Sequence, residues 1–113
     1  MTLLKKLLLP TLIVLFPAAV LAGQSSFEAK VVKIIDGDTI TALDGQNTSI
    51  KIRMYGIDAP ESKQAFGQKA KQALSSAIAA QNITVIDHGP DIYGRMLGTI
   101  WLDGYDINAS MVD

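Results

Sequence analysis

The chain contains no cysteine and one histidine, His88. Those two gaps remove a disulfide framework, a thiol nucleophile, a Cys/His zinc cluster and every motif that needs two histidines. Any hydrolytic chemistry must therefore rest on carboxylates, arginines, hydroxyls or a bound ion. Arginine is scarce as well: Arg53 and Arg95 stand alone against eight lysines. No long membrane-spanning run is present, because the most apolar stretch, Leu7 to Ala22, holds 16 residues and is broken by Pro10 and Pro17, whereas a span needs roughly 20. A surplus of positive charge is also missing. Beyond Lys5 and Lys6 the chain carries eight basic residues against eleven acidic ones, which excludes a basic nucleic-acid coat and confines polyanion affinity to a local site assisted by a cation.

The amino-terminal residues have the layout of a secretory signal peptide: Lys5 and Lys6, an apolar stretch, then the small-residue end Ala18-Ala19-Val20-Leu21-Ala22. Residues 1–22 are expected to be removed after Ala22, leaving a secreted or periplasmic protein with no stable membrane association. Gln24 stands where a lipidated cysteine would be needed, so lipid anchoring is not expected. Residues 23–113 then form one small domain of 91 residues, near the size at which a single core becomes marginal. No repeat or linker divides it, and a monomer is the default.

Three strands are expected in succession. Phe27 to Ile35 alternates apolar and polar residues, and Thr39–Leu43 and Ser49–Tyr55 flank Asp44-Gly45, a hairpin signal. The period then changes. Phe66, Ala70, Ala73, Leu74, Ala77 and Ile78 recur at helical spacing within the alanine-rich stretch Ala65–Ala80. Strand character returns over Ile83–Asp87, is broken by His88-Gly89-Pro90, and resumes over Leu97–Leu102 before an Asp103-Gly104 turn. Tyr105–Ile107 is expected to pair back briefly, and Asn108 reads as the N-cap of a helix only begun. Five strands with one helix after the third fit an α+β fold, a five-stranded Greek-key barrel of the oligonucleotide-binding (OB) type with an inserted helix and an incomplete carboxy-terminal helix.

Three runs carry the chemistry: Ile35-Asp36-Gly37-Asp38-Thr39, Arg53-Met54-Tyr55-Gly56-Ile57-Asp58-Ala59-Pro60-Glu61, and Asp91-Ile92-Tyr93-Gly94-Arg95. Carboxylate oxygens hold hard cations, and planar guanidiniums grip phosphate oxygens in a fork, so the set suits cleavage of a phosphodiester. An Asp-Gly turn at Asp36-Gly37 needs no metal by itself. Beside Asp58, read as the end of another strand, Asp38 becomes half of a two-carboxylate cation site. Glu61, three residues beyond Asp58 and read as near a helix start, is a general-base candidate. Arg53 and Arg95 are placed to stabilise charge growing on phosphoryl oxygens, and Tyr93 to stack on a base. Tyr55 and Trp101 are assigned to core or barrel rim, and His88 to an exposed loop.

In their order and spacing these runs resemble the staphylococcal (micrococcal) nuclease family, over about Phe27 to Val112. The resemblance implies an OB barrel, calcium held by Asp38, Asp58 and the Ala59 carbonyl, and catalysis by Arg53, Glu61 and Arg95. It also implies cleavage of DNA and RNA to 3′-phosphate products, with single strands favoured. Ala59 departs from the threonine usual there, which a backbone ligand tolerates, and the helices that usually follow are not reached. A non-catalytic nucleic-acid-binding barrel and an inactive shortened remnant are the alternative readings.

Overall fold

A computed structural model describes residues 24–112; the signal-peptide reading of residues 1–22 lies outside them. Six strands and two short helices follow one another: β1 (Ser25–Asp36), β2 (Thr39–Asp44), β3 (Ser49–Met54), α1 (Gly67–Ile78), β4 (Asn82–Pro90), β5 (Met96–Leu102), β6 (Tyr105–Asp106) and α2 (Ile107–Ser110). The sheet runs β3-β2-β1-β4-β5-β6, and a parallel pairing of β3 with β5, Ile52 opposite Met96 through Met54 opposite Gly98, closes the first five strands into a barrel. This is the α+β, OB-type architecture expected from the sequence.

Closure depends on β1. Its first half pairs with β4 and its second half with β2. Register shifts between Val31 and Lys33 and between Ile34 and Asp36 bend it from one neighbour to the other, as bulges do at barrel corners. The inward residues Val31, Ile40, Ala42, Ile52, Met54, Ile83, Val85 and Ile100 fill the interior, and Leu74 and Ile78 of α1 are buried with them. Each such Leu, Ile, Val or Met contributes on the order of 1.5–3 kcal/mol of burial.

Three details differ from the sequence expectation. The helix is shorter than Ala65–Ala80, because Phe66 (φ 67°) and Ala80 (φ 62°) both adopt the left-handed region and punctuate its ends. Phe66 is consequently 70 % exposed rather than part of the apolar stripe. β4 does not stop at Asp87: it continues through His88 and Gly89 to Pro90, with a register shift against β5 that absorbs the proline at the strand's last position. The cap of α2 is Asp106, whose side chain accepts from the Ala109 N–H at 3.0 Å. Asn108 instead lies buried inside that turn. Its Oδ1 accepts the Ile100 N–H at 3.0 Å, and its Nδ2 donates to the carbonyls of Gly98 and Tyr55, both at 2.9 Å.

Candidate active site

The site grows from the turn between β1 and β2. Asp38 is almost fully buried, and its carbonyl accepts the Met54 N–H at 2.8 Å, which ties the turn to the end of β3. Its carboxylate is held from two sides. Oδ1 accepts the Thr39 hydroxyl at 2.8 Å and Oδ2 accepts the Ala59 N–H at 2.9 Å. Thr39 stands opposite Arg53 across the β2–β3 ladder, so Arg53 reaches the same corner. Its Nη1 donates to the Ile57 carbonyl at 2.7 Å and the Met54 carbonyl at 3.0 Å. Its Nη2 lies 3.4 Å from Asp38 Oδ2 and 3.3 Å from Asp58 Oδ1. One guanidinium therefore joins two carboxylates that are 20 positions apart in the chain. Asp58 does not end a strand: it sits on the loop beyond β3, its side chain 93 % exposed.

The loop that carries Asp58, Ala59 and Glu61 is clamped onto the β1–β2 turn. Asp36 Oδ1 accepts the Ser62 N–H at 3.0 Å and also the Ser62 hydroxyl, and Gln68 Nε2 donates to the Ser62 carbonyl at 2.9 Å. Gly37 leaves no room for a side chain, since an added Cβ would lie 2.7 Å from Ala70 Cβ and 3.0 Å from Ala59 Cβ. Asp36-Gly37-Asp38 is thus a turn and a loop anchor at once. Glu61 is exposed and precedes the first residue of α1 by a further turn of chain, with its N–H donating to Gln64 Oε1 at 3.0 Å. It is not at the helix start, so the helix-end argument for its role does not hold.

The opposite wall is the loop before β5. Asp91 Oδ1 accepts the N–H groups of Tyr93 (2.8 Å) and Arg95 (2.9 Å), and Oδ2 accepts Arg95 Nε at 2.7 Å. Desolvation pushes the Asp91 carboxyl up, but the donors of Arg95 and Tyr93 and the Arg95 charge outweigh it and hold the group below its ordinary value. The pairing fixes Arg95 through Nε, leaving the terminal nitrogens of its fork outside it, while Tyr93 lies under the guanidinium with its ring centroid 5.4 Å from Cζ. A groove of about 480 Å³ runs between the walls, with Arg53 and Asp58 on one side and Tyr93 and Arg95 on the other.

Arg53, Asp38 and Asp58 thus share one corner, Ala59 touches it through its N–H, and Arg95 and Tyr93 face it across the groove. Glu61 does not line the groove. Sequence reasoning missed two residues. Asp91 had a signal, an aspartate opening a Tyr-Gly turn. Ser62 had none, because its partner is 26 positions away. His88 also departs from expectation: it is a part-buried strand residue stacked on Tyr55, not an exposed loop residue.

Among the described residues no group of three or more acidic, histidine or cysteine side chains is arranged to hold a metal. Asp38 and Asp58 nevertheless offer oxygen donors only, at one corner, with the Asp58 side chain exposed although paired with Arg53. Such a set fits a hard divalent cation completed by a carbonyl and waters better than a soft one.

A closed five-stranded barrel with an acid–arginine corner beside a groove defines a small α+β protein of the OB class. Residues 51–113 match the family described as staphylococcal nuclease homologue, and the chain belongs to that family. It is 41 % identical over 108 residues to an uncharacterized endonuclease of Haemophilus influenzae, covering 96 % of this chain and 61 % of that protein. It is 43 % identical over 97 residues to the Protein ParB of Escherichia coli, covering 78 % of this chain and 54 % of that protein. It is also 44 % identical over 77 residues to a micrococcal nuclease of Shigella flexneri, covering 68 % of this chain and 44 % of that protein. The chain therefore spans between about two fifths and three fifths of these relatives.

Proposed function

We propose that this protein hydrolyses phosphodiester bonds of nucleic acid, DNA and RNA alike, with single strands favoured and calcium as the cofactor. The observation that carries the reading is the Arg53 guanidinium at 3.4 and 3.3 Å from Asp38 and Asp58, with Arg95 across the same groove. Family membership and the nuclease names of two of the relatives support it.

Asp38, Asp58 and the Ala59 carbonyl would hold the cation, which when bound supplies Lewis-acid polarisation of the phosphoryl group. The chain's own residues do the rest. Arg53 and Arg95 bind the phosphate from two sides and stabilise charge developing on its oxygens, worth about 3–4 kcal/mol per well-placed donor. Asp91 orients the Arg95 fork. Glu61 takes a proton from the attacking water as that water's oxygen bonds to phosphorus. The bond from phosphorus to the 5′ oxygen breaks, the 5′ oxygen takes a proton from solvent water and Glu61 returns its own to solvent, which leaves a 3′ phosphate. Glu61 lies on the clamped loop, one residue from Ser62, with its side chain exposed. The amino-terminal pattern of residues 1–22 supports export to the periplasm or the medium, with the protein acting as a monomer.

The test is end-group analysis on a 5′-labelled single-stranded oligonucleotide. Fragments ending in 3′ phosphate, formed with calcium and lost with chelator, are expected, and Glu61→Gln or Arg95→Ala should lower turnover at least a hundredfold. Full turnover in either variant rejects the assigned roles, and binding without any turnover favours a non-catalytic barrel.

A further inference from the structure

Beside the groove lies a second hollow of about 460 Å³, lined by Gln24, Ser25, Tyr55, Asp87, His88 and Gly89. Tyr55 belongs to both, so the two spaces adjoin across a single ring. That ring is half exposed and stacks on His88 with centroids 4.2 Å apart and planes 14° from parallel. The stack is braced from behind. His88 Nε2 pairs with Thr99 Oγ1 at 2.7 Å and Nδ1 with Gln24 Nε2 at 3.1 Å. Asp87 Oδ1 accepts the Gly89 N–H at 2.7 Å, which holds the carboxylate at the rim.

The lining distinguishes between ligands. Its only fixed charge is the Asp87 carboxylate, which disfavours a phosphate, whereas the groove next door presents Arg53 and Arg95. A carboxylate, an amide and a hydroxyl around a flat π-surface match a nucleobase, whose face stacks and whose ring or exocyclic N–H groups donate to carboxylate oxygen. Tyr55 is two residues from Arg53 in the chain, so a base on this platform would belong to a nucleotide next to the phosphate in the groove. We propose that the Tyr55–His88 stack and its polar hollow are a nucleobase subsite for the nucleotide adjoining the scissile phosphate. This rests on the nuclease reading above and adds to it the part of the substrate recognised outside the groove.

The test compares two substrates in wild type, Tyr55→Leu and Tyr55→Trp. One is methyl 4-nitrophenyl phosphate, a phosphodiester that carries no nucleobase, and the other is a single-stranded octathymidylate. Stacking is worth roughly 1–3 kcal/mol per base, so Tyr55→Leu should raise KM for the octamer about 5- to 150-fold more than for the small ester. Tyr55→Trp should restore most of that difference. Equal effects on both substrates, or no effect on either, overturn the subsite. Anisotropy of labelled octathymidylate provides the second readout. If wild type binds the octamer and turns over neither substrate, the nuclease reading falls, and weaker binding by Tyr55→Leu still supports the platform. If wild type does not bind the octamer, the platform falls.

Discussion

Asp91 shows how one side chain decides the value of another. Its carboxylate takes three donors, two of them from Arg95, and its pKa is lowered from an ordinary 3.8 although desolvation opposes the shift. A group that ionises lower in the folded chain than in the unfolded one contributes stability that is fully present above 3.8. That contribution is lost as pH falls through the folded value. Urea unfolding of Asp91→Asn should therefore vary less with pH below about 4 than wild type. The same substitution should lower kcat/KM at neutral pH about tenfold by freeing the Arg95 fork. Ser62→Ala removes the hydroxyl pairing to Asp36 and should reduce kcat several-fold with little change in KM, because it loosens a loop without touching substrate. Both arginines were legible in the sequence because there are only two of them, and both line the groove. Ser62 was not legible, since its meaning depends on a partner 26 residues away that only the barrel brings near.

Among the elements, the loop and α1 are coupled through glycines. A Cβ on Gly67 would sit 1.7 Å from the Glu61 carbonyl oxygen, which is backbone and cannot swing aside. Gly67→Ala should cost more than about 3 kcal/mol in urea denaturation. Gly45→Ala, with nothing within 4 Å of the added carbon, should stay within about 0.5 kcal/mol. The strands were readable because barrel strands with one buried face alternate over most of their length, and β1, β2, β3 and β5 lie within a residue or two of the expected bounds. The failures were at punctuation. Alanine content favours helix everywhere from Ala65 to Ala80, and only the left-handed turns at Phe66 and Ala80 set the true ends. His88-Gly89-Pro90 has the composition of a break, yet tertiary pairing with β5 carries the strand through it.

In the whole molecule, the side chain of Asn108 joins α2, β5 and the end of β3 through three hydrogen bonds. Asn108→Leu would take their side-chain partner from the buried Ile100 N–H and the Tyr55 carbonyl, while the Gly98 carbonyl keeps the Tyr55 N–H at 2.8 Å, and should destabilise the barrel by about 2–4 kcal/mol, read by thermal or urea unfolding. The sequence marked this residue as a cap, because asparagine before a short helix has that habit; its burial is a property of the closed sheet. Net negative charge sets a second global expectation. If Arg53 and Arg95 supply the main phosphate contacts, single-strand affinity should fall with salt on a shallow slope, roughly −1.4 in log K against log salt. Asp38 and Asp58, converging on Arg53, are proposed to form one cation-dependent hydrolytic corner. A calcium titration of single-stranded DNA cleavage by wild type, Asp38→Asn and Asp58→Asn tests it most directly. Each substitution should raise the half-saturating calcium concentration at least tenfold. Unaltered calcium dependence with full turnover in either variant would contradict it.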